Sequence, residues 1–194
     1  MLFLCRTESI ARDMGMSTDT EDRLTPSPSA MPRADFVARF GGIYEHSPWI
    51  AERLWAEGIS TTHDHAAGLH TALAAILDVA GRDEKLALIR AHPDLAGKAA
   101  VRGELTEAST SEQAGAGLDQ CTAEEFDRFQ ALIGAYKEKF GFPFILAVKG
   151  KDRHDILQAF ETRIANDPET EFATALAEIN KIALLRLEAM KGAQ

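Results

Sequence analysis

The chain has 194 residues, 45% of them hydrophobic and 26% charged, enough for one domain with a real core and too few for two ordinary ones. A net charge of −9 without a dense Lys/Arg run argues against a nucleic-acid or anionic-membrane surface, and no apolar stretch approaches the length of a membrane span. The two cysteines, Cys5 and Cys121, form no spaced framework, as expected for a reducing cytosol.

Residues 1–33 differ in character from the rest of the chain. The stretch 17–32 is rich in Ser, Thr, Asp and Pro, the composition of a disordered lead, so the folded domain is expected over 34–190. Met16 and Met31 are alternative starts, and the opening Met-Leu-Phe-Leu-Cys is too short for a signal-peptide core. From residue 34 onward the signals are helical. Spans 34–41 and 48–57 read as short helices, with Pro48 at a first helical position. Span 62–80 has Leu69, Leu73, Ile76 and Ala80 on one face and Gly81 as a stop, and 82–91 is the next helix. Span 122–140 is the clearest amphipathic helix, with Phe126, Phe129, Ile133, Tyr136 and Phe140 on one side and Gly141 at its exit. Spans 152–165 and 168–190 complete the set. Only 144–148 reads as extended, with no second strand to pair with it, so the fold class is all-α in a single multi-helical domain.

Four places carry groups able to do chemistry. In Ala91-His92-Pro93-Asp94-Leu95-Ala96-Gly97-Lys98, an imidazole stands directly before a proline at the end of an apolar-periodic run. Proline disfavours the helical conformation in the residue before it, so the helix stops near Ala91 and His92 is extended. Carbonyls at that helix end favour the protonated imidazole, which makes His92 either a candidate proton donor or an ordinary helix-ending histidine. Ser109-x-x-Glu112 fits a capping box, and the helix start it implies would also offer free amides to a carboxylate or imide oxygen. The run 144–148 is either buried core or a segment whose amides, lacking a ladder, meet the carbonyls of a ligand. Arg186 falls on the apolar face with Ile179 and Ala183, where a charge is costly unless paired; it meets an acidic residue of a neighbouring helix or reaches into a site. Arg163, nearer the edge of its helix face, reads as solvated, and Lys98 as a surface lysine. His63, His65 and His70 lack the spacing of three or four that would converge on one metal ion, and no phosphate loop, dinucleotide fingerprint or Cys-x-x-Cys pair is present. No metal or cofactor is therefore expected.

The His92 segment is joined by Gly42-Ile43-Tyr44-Glu45-His46-Ser47-Pro48-Trp49, by Leu105-Thr106-Glu107-Ala108-Ser109-Thr110-Ser111-Glu112-Gln113, and by Phe140-Gly141-Phe142-Pro143-Phe144-Ile145-Leu146-Ala147-Val148-Lys149-Gly150. In this order and spacing the four closely resemble the 2-oxo-4-hydroxy-4-carboxy-5-ureidoimidazoline (OHCU) decarboxylases, over roughly residues 34 to 190. The resemblance implies a multi-helical homodimer that decarboxylates the ureidoimidazoline to (S)-allantoin and carbon dioxide during urate breakdown, without a cofactor, and the cysteine usage leads us to expect it in the cytoplasm. The resemblance also implies His92 and Glu112 as catalytic residues. It further implies substrate binding by Pro93, by Ser109, Thr110, Ser111, Glu112 and Gln113, by main-chain groups of Phe144, Ile145, Leu146, Ala147 and Val148, and by Arg186, which steadies Glu112 or a substrate oxygen. Two rival readings are a metal-dependent hydrolase using His63, Asp64 and His65, and a non-catalytic helical scaffold in which no cleft joins His92 to Glu112.

Overall fold

Side chains that satisfy orphan backbone amides fix the starts of four helices among the described residues. The computed structural model describes residues 22–95 and 106–191. Among them are eight α-helices: α1 (Arg33–Phe40), α2 (Trp49–Glu57), α3 (Ala66–Asp78), α4 (Arg82–Ala91), α5 (Glu107–Gly115), α6 (Ala123–Phe140), α7 (Arg153–Arg163) and α8 (Pro168–Ala189). Thr122, expected as the first residue of α6, is its cap: its hydroxyl accepts from the Glu125 amide at 3.2 Å while Glu125 accepts from the Thr122 amide at 2.9 Å. Asp152 caps α7 in the same way, accepting from the amides of His154 and Asp155. Such caps contribute about 1 kcal/mol each. Gly141 ends α6 at φ 75°, the left-handed conformation that a glycine adopts without a Cβ penalty.

The all-α expectation holds. Among the described residues only two isolated bridges occur, Arg23 with His65 and Leu24 with Lys191. The 22-residue α8 is the spine, packing on α3, α4 and α6. Its residues Phe172, Ala175, Ile179, Ala183 and Leu187 recur at helical spacing and are all buried. On α6 the expected apolar face is present: Phe129, Ile133 and Tyr136 are buried, with Phe126 and Phe140 half-buried at its ends.

Two expectations are corrected here. The helix expected over 62–80 is broken into a 3-10 turn, Thr61–Asp64, and α3, because His65 is extended at φ −104° and ψ 140°. The break is made by the segment expected to be a disordered lead. From residue 22 on, that segment is packed: the Leu24 amide donates to the Asp64 carbonyl at 2.8 Å, and the Ala66 amide donates to the Asp22 carbonyl at 3.2 Å. The buried Asp64 carboxylate accepts from the Ser29 amide (2.8 Å), the Ser29 hydroxyl (2.9 Å) and Arg23 Nη2 (3.1 Å). Leu24 and Met31 enter the core. Composition misled because a few apolar and anchoring residues suffice to hold an otherwise polar strap. Cys5 and the rest of 1–21 lie outside the described residues.

Leu24→Ala is expected to destabilise the protein by about 2–5 kcal/mol, the cost of emptying a fully buried leucine site. Urea unfolding checks this as a lowered midpoint at unchanged slope; a midpoint equal to that of the parent would return the strap to the status of a solvated lead.

Candidate active site

His92 closes α4. Proline at 93 holds it extended (φ −75°, ψ 140°), as expected, and its amide donates to the Ile89 carbonyl at 3.2 Å. The ring folds back so that Nδ1 lies 2.9 Å from the Leu88 carbonyl oxygen. A carbonyl accepts only, so Nδ1 carries the hydrogen and Nε2 is the nitrogen left for proton transfer. The expected protonation state is corrected in sign. Burial, which leaves the residue 8% exposed, pushes the imidazole below its ordinary value of 6.5; the Leu88 carbonyl and the charges of Glu45 and Glu112 oppose this and are outweighed. His92 is therefore a neutral imidazole near pH 7.

Facing it is a cluster centred on Arg186. The guanidinium grips Glu112 with two parallel bonds, Nε to Oε1 at 2.8 Å and Nη2 to Oε2 at 3.0 Å. On its other side Nη1 donates to Glu45 Oε2 at 2.9 Å and to the Ile43 carbonyl at 3.3 Å, and Nη2 reaches the Ser109 hydroxyl at 3.4 Å. Both readings of Arg186 thus converge: it is paired with acidic residues, and one of them is Glu112. Glu45, passed over by sequence reasoning, is 2% exposed; its Oε1 accepts from the Thr106 hydroxyl at 2.8 Å and its Oε2 from the Ser109 hydroxyl at 3.3 Å. Burial raises its pKa, yet the Thr106 hydroxyl and the Arg186 charge together hold the carboxyl below the usual carboxylate range. The signal for it in the sequence was a lone carboxylate inside the otherwise buried run Ile43–Tyr44–Glu45.

Ser109 is not the helix cap. Thr106 is, its hydroxyl accepting from the Ser109 amide at 3.3 Å, so α5 starts three residues earlier than the capping box implied. Freed from that task, the Ser109 hydroxyl turns inward to Glu45 and Arg186.

The opposite wall is the extended run 144–148. Phe144 stacks on Phe160 at 3.7 Å between centroids and meets the edge of Tyr136 at 5.1 Å. Arg163, expected to be solvated, is instead largely withdrawn from solvent: its Nη1 donates to the Ile145 carbonyl at 2.6 Å, its guanidinium lies 4.4 Å over the Phe144 ring, and its Nε donates to Glu171 at 3.0 Å. Glu171 is fully buried and also accepts from Tyr136 and Asn166. The Ala147 amide donates to Glu178 at 2.9 Å, so this amide is met by protein rather than left for a ligand. Among the described residues no group accepts from the amides of Ile145, Leu146 or Val148.

These parts surround one cavity of about 600 Å³. It brings together Pro93 and His92, Ser109, Ser111, Glu112 and Gln113, all five residues of 144–148, and Arg186. Thr110 is not among the lining residues: it is exposed, and its hydroxyl donates back to the Thr106 carbonyl at 2.9 Å. Lys98 lies outside the described residues. The scaffold reading fails because the cleft exists. His63 and Asp64 do not line it; Asp64 is committed to Ser29 and Arg23, and His63 Nδ1 accepts from the Ser60 amide at 2.9 Å. Among the described residues no group of three or more His, Cys, Asp or Glu is arranged to hold a metal ion.

A neutral buried imidazole, a carboxylate aimed by a guanidinium and a main-chain wall around one cavity define an all-α enzyme acting on a small polar molecule. The model of one family, OHCU decarboxylase, matches residues 29–188. A 2-oxo-4-hydroxy-4-carboxy-5-ureidoimidazoline decarboxylase of Halalkalicoccus jeotgali is 46% identical over 153 residues, covering 79% of this chain and 83% of that protein. The crystal structure of an (S)-allantoin synthase superposes with TM-score 0.68 at 35% identity, covering 84% of this chain, which spans about half (52%) of that one. That of an OHCU decarboxylase in the presence of (S)-allantoin superposes with TM-score 0.57 at 26% identity, covering 72% and 87%. The chain belongs to the OHCU decarboxylase family.

Two measurements check this geometry without an activity assay. His92 is expected to titrate below 6.5 in an NMR pH series of the histidine ring signals; a value above that would show that burial does not dominate at this position. Arg163→Met leaves Glu171 buried and uncompensated, and is expected to cost about 3–5 kcal/mol in denaturant unfolding. A loss under about 1 kcal/mol, the range of surface ion pairs, would mean that Arg163 does not hold the wall.

Proposed function

We propose that this chain is a cofactor-independent carboxy-lyase that converts OHCU to (S)-allantoin and carbon dioxide in urate breakdown, with His92 as its acid–base group. The observation that carries the assignment of roles is the convergence of His92, Glu112 and the 144–148 main chain on one cavity. The relative solved in the presence of (S)-allantoin supports the product class.

The substrate carries its hydroxyl and its carboxylate on one ring carbon, next to a ring C=N bond. As the bond to the carboxylate breaks and carbon dioxide leaves, its electron pair forms a double bond to the neighbouring carbon, and the C=N pair withdraws onto the ring nitrogen, which takes up a proton. The hydroxyl gives up its proton as its carbon becomes a carbonyl, and a proton is taken up at the neighbouring carbon. The substrate supplies its own electron sink, so the protein has to orient, hold charge and move protons. Neutral His92, with Nδ1 fixed on Leu88, accepts the hydroxyl proton at Nε2. Glu112, steadied by Arg186, accepts a hydrogen bond from the substrate's N–H or O–H groups. In this reading the amides of Ile145, Leu146 and Val148 donate to its carbonyl oxygens. Pro93, Ser111 and Gln113 shape the wall around His92. The proposal includes a homodimer working in the cytosol, which rests on the family resemblance. Among the described residues no helix is long and apolar enough to cross a membrane.

The direct test generates the unstable substrate enzymatically from urate and follows (S)-allantoin by circular dichroism, with and without the protein. His92→Ala is expected to slow turnover by about 10²–10⁴-fold, the usual contribution of general acid–base catalysis, with the helical spectrum intact. His92→Asn should not restore it, because an amide does not exchange a proton near neutral pH, and Glu112→Gln should also be slow. His65→Ala is the control, expected near wild type. Equal rates in His92→Ala and His65→Ala, after subtracting spontaneous decay, would end this assignment.

A further inference from the structure

We propose that Glu45 is a positioning residue of the decarboxylation, fixing the Arg186 fork from the side opposite Glu112 and supplying the buried negative charge against which His92 takes up its proton. The proposal rests on the decarboxylase reading above and names a residue outside the cavity wall.

The geometry of Arg186 comes first. A guanidinium has five N–H donors in one plane. Those on Nη1 go to Glu45 and the Ile43 carbonyl, those on Nη2 to Glu112 and Ser109, and the one on Nε to Glu112. The fork is rigid, so holding one end determines where the other points. Glu45 is the charged anchor at the far end, and it is itself anchored by Thr106 at 2.8 Å. Thr106 also caps α5, the helix that carries Glu112. One carboxylate thus ties the α1–α2 junction, the start of α5 and the end of α8 together. Without it, Nη1 keeps only carbonyl partners and the aim of Glu112 is set by one side alone.

Charge balance comes second. The groups facing His92 are Glu45 from the α1–α2 junction, Glu112 from α5, Arg186 from α8 and the Leu88 carbonyl of its own helix. Arg39 and Lys149 also line the cavity, and exposed His46 sits 3.8 Å from Glu45. Two carboxylates against one guanidinium leave the buried cluster with one excess negative charge while His92 is neutral. Proton uptake by His92 brings the cluster to neutrality. With Glu45 uncharged the same step would create a net positive charge in a buried site, which is disfavoured. Glu45 does not touch the cavity, so its effect on the reaction runs through these neighbours.

The test is Glu45→Gln in the allantoin assay across pH, alongside wild type and His92→Ala. The expected result is a kcat lowered by about 10²-fold, the scale of a misaimed reacting group, with KM unchanged. The acidic limb of the pH–kcat/KM profile should also move to lower pH, because the imidazole is then harder to protonate. A purely structural role would lower the melting temperature and leave the limb in place. Should Glu45→Gln fail to fold, Glu45→Asp carries the test: it keeps the charge but shortens the reach to Arg186, so kcat should fall with KM constant and the limb at its wild-type position. Wild-type kcat and limb in folded Glu45→Gln, unaltered kcat in Glu45→Asp, or a loss confined to KM would each overturn the proposal. If wild type shows no turnover above spontaneous decay, the decarboxylase reading itself has failed; if wild type and His92→Ala are equally active, the role of His92 and with it this proposal has failed; if only His92→Ala is slow while Glu45→Gln matches wild type, the failure falls on Glu45 alone.

Discussion

Buried charge on α8 is the constraint around which the site is arranged. An unpaired ion in the interior costs several kcal/mol, so each one compels its surroundings to supply a partner of fixed geometry. Helix α8 carries two buried carboxylates, Glu171 and Glu178, and the half-buried Arg186, spaced seven and eight apart and so roughly two turns from one another along one side. Glu171 draws in Arg163 and through it the Ile145 carbonyl; Glu178 takes the Ala147 amide; Arg186 takes Glu112 and Glu45. A single helix thereby holds the main-chain wall at two points and the opposing carboxylate at a third. The apolar residues between them, Ala175, Ile179 and Ala183, hold that ruler against the rest of the molecule.

This arrangement divides the labour within the cavity. Arg186 is the most heavily engaged cation of the site, yet its donors are all directed at protein acceptors. In the proposed function, recognition of the substrate is then left to main-chain amides and to Glu112, groups that match carbonyl oxygens and N–H donors by direction rather than by net charge. Because the atoms of 144–148 proposed to meet the substrate belong to the backbone, side-chain identity there answers to packing, as the stack of Phe144 on Phe160 illustrates.

The sequence made the helices legible because periodicity and caps are local properties. The face of α6 and the stop at Gly141 can be read from spacing alone, and the extended 144–148 stood out by failing to find a partner strand. Errors arose wherever a distant residue decided the outcome. Arg163 looked solvated by its angle on its own helix, but Glu171 and the Ile145 carbonyl reach it from other elements. Ser109 looked like a cap until Thr106 took that position, and the strap at residues 22–33 looked disordered until Asp64 gathered Ser29 and Arg23. At His92 the local signal had the right causes and the wrong balance: the helix-end carbonyl does favour the imidazolium, but the depth of burial, unreadable from a linear string, outweighs it. Family resemblance pointed to residues that share the cavity, Thr110 excepted, yet Glu45 needed three-dimensional proximity to emerge.

The Leu88 carbonyl that fixes the His92 ring is one of the terminal acceptors of α4, so the imidazole doubles as the plug on that helix end. Helix termini open locally at far smaller free energies than the global unfolding reaction. The nitrogen proposed to react is consequently only as well ordered as the last turn of α4. Fraying of that turn frees Nδ1, lets the ring rotate and scrambles the tautomer, all without disturbing the spine of the domain. Thermal inactivation would then be a sub-global event, with catalytic competence fading on warming while the bulk of the helical dichroism is still intact.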